Sequence, residues 1–108
     1  MTRVPASASL AQRLENWGSA ARGAYDPVDA ARITKAWRTL HVRHRDMLRM
    51  AYLWHANREV ICRRLRIPRW PAQRFELELA AARSALARAL DRRDQDRAGD
   101  YPPEDPEG

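Results

Sequence analysis

Cysteine, glycine, lysine and phenylalanine are nearly missing from this chain of 108 residues. A single Cys excludes a disulfide framework and a Cys-rich zinc site, and fits a reducing compartment. With 4 Gly there is no Gly-rich loop to cradle a phosphate. No apolar run approaches the roughly 18–20 residues that cross a membrane. Residues 1–10 also lack the apolar block of a secretory leader. The expectation is a soluble cytoplasmic protein with no membrane contact. The length leaves room for one domain. Hydrophobic residues make up 44% and aromatics 7%, enough for a small core, while mean hydropathy is −0.72.

Charge is abundant but uneven. The net charge is +6, and Lys35 is the one lysine among 20 basic residues. Residues 57–93 carry ten Arg against Glu59, Glu76, Glu78 and Asp91. Residues 94–108 carry Arg97 against six acids. A dense basic block followed by an acidic end favours a polyanionic partner such as nucleic acid.

Strand alternation is absent, and the apolar residues follow helical spacing instead. Residues 1–6 read as a disordered lead. Ser7 or Ser9 caps a helix through Leu10, Leu14 and Trp17, interrupted at Gly18 and ended by Gly23. Asp26-Pro27 starts a second, carrying Val28, Ile33, Ala36, Trp37 and Leu40. A third stripe, Met47, Leu48, Ala51 and Tyr52, either continues that helix or forms its own, with a break expected near residues 42–45. Asn57 caps a short helix bearing Val60, Ile61 and Leu65. The stretch Ile67-Pro68-Arg69-Trp70-Pro71 cannot stay helical, because each Pro forces the residue before it out of the α region. Pro71 suits the start of the next helix. There Phe75, Leu79, Ala82, Leu86 and Leu90 fall within an arc of about 80°. From Asp94 onward the acidic, Pro-rich composition reads as a disordered tail. The expected fold is a small all-α domain of four to five helices over residues 7–93, with a helix-turn-helix at 57–92.

That last pairing carries the functional expectation. A short helix, an interrupted turn and a longer helix with one buried face can present the other face to a DNA major groove. With Phe75, Leu79 and Ala82 inward, the outward side near the helix start carries Gln73 and Leu77, with Arg74 and Glu76 on the flanks. Gln reads adenine and Arg reads guanine through paired hydrogen bonds. Arg58, Arg63, Arg64, Arg66 and Arg69 surround the turn, where phosphate contacts belong.

The stretch HRDMLRMAYLWHANREVICRRLRIPRWPAQRFELELAAARSALARAL, from His44 to Leu90, resembles sigma-factor region 4 and its phage relatives. Leu10 to Gly18, with its core Leu14-Glu15-Asn16-Trp17-Gly18, resembles the opening of phage late-gene antitermination proteins of the Q family. That resemblance implies binding to a DNA element near a late promoter and loading onto bacterial RNA polymerase, which then ignores terminators. It implies Arg58 to Leu65 as the supporting helix and Gln73 to Glu78 as the reading helix. A homodimer on DNA is compatible with it. In region-4-like turns the first core residue of the reading helix stands closer to the residue equivalent to Ile67. Here Phe75 stands eight positions after it, a longer turn or an added helical turn. The other readings are a sigma-like activator or repressor without an elongation role, and a helical protein-interaction module that does not bind DNA.

The remaining chemistry-bearing residues read as structural. Cys62 beside core positions is expected to be a buried, inert thiol. His41, His44 and His55 lack a fourth ligand of suitable spacing, so neither metal nor cofactor is expected. Trp17 and Trp37 are expected to anchor the first helices, and Trp54 to sit in the core or lid the next turn. Trp70 is expected to plug the gap beneath the helix junction, the alternative being a DNA-backbone or polymerase contact. No carboxylate pair or nucleophile triad converges, and the chain reads as a non-enzyme.

Overall fold

Ser9 begins the first helix with a reciprocal cap. The Gln12 backbone N–H donates to Ser9 Oγ at 3.2 Å, and the Ser9 N–H donates to Gln12 Oε1 at 2.9 Å. This identifies Ser9 as the cap of α1 (Leu10–Trp17). The computed structural model describes residues 8–19 and 25–100, those after 95 by backbone alone. Ser7, Gly23, the lead at 1–6 and residues 101–108 lie outside the described residues.

Asp26 caps α2 (Pro27–Trp37) by accepting from the N–H groups of Val28 and Asp29, with Pro27 at the first helical position. The helix ends earlier than the sequence pattern suggested. Thr39 turns its hydroxyl onto the Ala36 carbonyl at 2.7 Å, and the His41 ring accepts from the Arg43 N–H at 3.2 Å. The break therefore falls just before Val42, and residues 42–45, the expected break point, belong to α3 (Val42–Leu48). A π-helical turn, Arg49–Leu53, follows without interruption. Asn57 caps the short α4 (Arg58–Leu65) through the Val60 N–H at 2.9 Å. Arg66 closes α4 in the left-handed region, with φ 57° and ψ 47°.

The last helix differs from expectation at both ends. α5 (Arg74–Asp100) starts three residues after Pro71, because residues 71–73 form a separate turn in which the Arg74 N–H donates to the Pro71 carbonyl. It also continues past Asp94, the expected start of the tail. No proline occurs between Pro71 and Pro102, and extending a formed helix carries none of the nucleation cost of starting one. At about 1.5 Å per residue its 27 residues span about 40 Å.

All described elements are helical, and they share one core. Leu14, Ile33, Met47, Leu48, Ile61 and Leu86 are fully buried. α5 presses Ala82, Leu86, Ala89 and Leu90 against α2 and α3, with Phe75 and Leu79 half-buried at its start. α4 rests on α3 through Ile61 and Leu65. Truncating Leu86, central to this packing, to Ala costs about 2–5 kcal/mol on the scale of similar core sites. No helix among the described residues is long and apolar enough to cross a membrane.

Two tryptophans anchor the N-terminal helices as expected. The Trp17 indole N–H donates to Thr34 Oγ1, and its ring lies 5.9 Å from that of Trp37. Trp54 and Trp70 depart from expectation. Trp54 is half-exposed at the end of the π-helical turn, with the guanidinium groups of Arg49 and Arg64 near its ring. Trp70 is 80% exposed. Ile67 and the half-buried Phe75 pack onto the core at the helix junction, and Trp70 does not join them.

Candidate nucleic-acid interface

One side chain from a third helix links α4 and α5. Arg43 on α3 donates from Nε and Nη2 to the two carboxylate oxygens of Glu78 on α5, at 2.9 and 3.1 Å. Its Nη1 donates to the Leu65 carbonyl at 2.8 Å. That carbonyl is among the last of α4, which lack a partner within the helix. One planar guanidinium thus fixes the end of α4 and the start of α5 against α3. The hydrogen bond from Arg43 holds the Glu78 carboxyl below its ordinary range, and the same bond pushes the guanidinium further up.

The turn is tied down by a second arginine. Arg58, at the start of α4, pairs with Glu76 at 2.9 Å, donates to the Ala72 carbonyl and lies 5.3 Å above the Phe75 ring. Arg69 pairs with Glu59 at 3.0 Å on an open part of the surface. Of the five arginines expected around the turn, Arg58 and Arg69 therefore have intramolecular carboxylate partners. Arg63, Arg64 and Arg66 are exposed and form no ion pair among the described residues. The rim of the turn is cationic chiefly through these three.

At the start of α5, Gln73, Arg74 and Leu77 are all exposed. Gln73 precedes the helix rather than belonging to it, and its carbonyl accepts the Leu77 N–H at 3.0 Å. Arg74 lies with Nε 3.5 Å from Glu78 Oε2, one helical turn away. Leu77 is 63% exposed, and Ala80, Ala81 and Ser84 continue the same open side. The opening helices do not cover it. Arg13 and Val28 approach α5 near Leu90 and Arg93, toward its other end.

Cys62 is half-buried rather than buried, and lines a groove of about 380 Å³ between α4 and the turn, with Arg63, Ile67 and Phe75. His41 and His55 are exposed and His44 is half-buried. No group of three or more potential metal ligands gathers among the described residues.

Sequence reasoning located the exposed face but missed what supports it. Arg74 and Glu78 stand four apart, a spacing that marks a same-face ion pair on a helix. Arg43 and Glu78 are 35 residues apart, and nothing local links them. No family model, curated protein or solved structure matches the chain.

Proposed function

We propose that this chain binds double-stranded DNA through α4, the following turn and the start of α5, and that it acts in transcription. The observation that carries this reading is the open, cation-rimmed outer side of the helix pair. Arg63, Arg64 and Arg66 are exposed and have no carboxylate partner among the described residues, Arg64 lying near the Trp54 ring, while Gln73 and Leu77 stand outward at the start of the longer helix. Phosphate contacts of this kind release counterions, so affinity falls steeply with salt. The rival reading, an interaction module whose arginines serve solubility alone, gives no salt-sensitive duplex binding.

The narrower role is that of a late antiterminator, as the sequence resemblance implies, working without catalysis or cofactor. On that reading α4 and α5 hold the chain on a promoter-proximal element. Exposed apolar groups elsewhere, such as Val28 on α2 and Leu53 with Trp54, face RNA polymerase or a second copy. The test has two stages. Fluorescence anisotropy with duplex DNA across a salt series reads binding. Transcription in vitro through a terminator placed after a pause site reads antitermination. Salt-sensitive binding with unchanged termination leaves a sigma-like activator or repressor; no binding removes both.

A further inference from the structure

We infer that the start of α5 and the residue before it read A·T pairs, with Gln73 on the adenine edge and Leu77 on the thymine 5-methyl group. The inference rests on the DNA-binding reading and names what that face recognises. Three charged side chains stand at the start of α5, Arg74, Glu76 and Glu78, and both carboxylates have arginine partners. Glu76 is held by Arg58, while Glu78 is held by Arg43 and Arg74. Arg74 approaches Glu78 through Nε alone, at 3.5 Å. The outward groups without such ties are Gln73, Leu77, Ala80, Ala81 and Ser84, a largely uncharged strip.

The major groove contains one apolar group, the thymine methyl, and one pair of donor and acceptor that a side-chain amide matches bidentately, adenine N6 and N7. Gln73 supplies the amide, and Leu77 a branched apolar group with more than half its surface in solvent. Their four-residue separation is about 6 Å along a helix axis. That is close to two base-pair steps of about 3.4 Å, for a helix lying along the groove. Ala81 stands one further turn on, small enough to let the groove wall approach. No free carboxylate on the strip is placed to accept from cytosine N4, the contact that would favour G·C pairs.

The experiment selects binders to the full chain from a random duplex library and then replaces each dT of the enriched site with dU, which lacks the methyl. Consecutive A·T pairs are expected in the enriched site. One such replacement should weaken the parent about fourfold, the equivalent of a buried methyl group. Leu77→Ala should bind the dT and dU duplexes alike, and Gln73→Ala should lose about tenfold or more of its preference for adenine. Both positions are exposed, and circular dichroism melts matching the parent would show that the variants fold. Enrichment of G·C pairs, or dU tolerated by the parent at every position, overturns the inference. Salt-sensitive binding without base preference overturns it too, but leaves the DNA-binding reading standing. Absence of salt-sensitive duplex binding overturns both.

Discussion

Arg43 and Glu78 form a two-point ion pair between α3 and α5, and the same guanidinium also holds the Leu65 carbonyl at the end of α4. Removing it leaves a carboxylate and a helix-terminal carbonyl short of donors at once. Arg43→Ala should lower stability by about 1 kcal/mol, solvent screening of the half-exposed guanidinium included, seen as a reduced urea midpoint. It should also weaken binding to every duplex, because the two helices lose their common brace. Arg43→Lys keeps the charge but lacks the planar fork, so it should recover only part of the loss. An unchanged midpoint for Arg43→Ala would show that the brace is dispensable.

The same pair sets a pH dependence. Glu78 has its folded value lowered, first by the hydrogen bond from Arg43. Its contribution is therefore complete above the ordinary value of about 4.5 and is lost as pH falls through the lowered folded value. Glu78→Gln should be less stable than the parent near neutrality, and the gap should narrow progressively below about pH 4.5. Urea midpoints across an acid series measure it. A gap that stays constant with pH would remove the ion pair from the account.

Asn16 and Gly18 turn a short motif into packing. The buried Asn16 side chain donates to the Asp26 carbonyl at 3.0 Å and accepts from the Asp26 N–H, fixing the residue that caps α2. Any side chain at Gly18 would run into the Tyr52 carbonyl, because the end of α1 lies directly against the π-helical turn. Gly18→Ala should cost about 1–3 kcal/mol as an overpacking change. Asn16→Ala should cost a similar amount by leaving buried backbone groups unpaired. Thermal melts should show both losses. A neutral Gly18→Ala would mean that the two segments can separate without penalty.

These contacts mark how far the sequence could be read. The caps at Asp26 and Asn57 were legible, and that of α1 down to Ser7 or Ser9, because each acts on backbone groups two or three residues away. The buried face of α5 was legible because helical period repeats over many turns. Gly18 was legible as an interruption, but not as a contact with Tyr52, which lies far along the chain. Trp70 was misplaced for a related reason: aromatic bulk in a turn suggests burial, yet it is Ile67 and Phe75 that pack onto the core there. Within the candidate site, the outward positions Gln73 and Leu77 followed from the helical wheel. Whether an arginine is free depends on which carboxylates fold back to it, and that is settled by tertiary distance.

Arg66 separates stability from binding by moving them in opposite directions. It closes α4 with φ 57° and ψ 47°, a left-handed conformation that glycine adopts without the clash of a Cβ. Relieving that clash favours the folded state, while the added freedom of glycine in the unfolded chain subtracts part of the gain. Arg66→Gly should therefore stabilise the domain by about 0.5 kcal/mol. Arg66 is also exposed and without an ion pair among the described residues, so taking its guanidinium away from a phosphate should reduce the slope of log affinity against log salt by about one. Arg63→Ala and Arg64→Ala should reduce that slope similarly for all sequences alike, without the stabilisation. A variant at Arg66 that melts higher yet binds duplex DNA with an unchanged salt slope would place the phosphate backbone away from this end of α4.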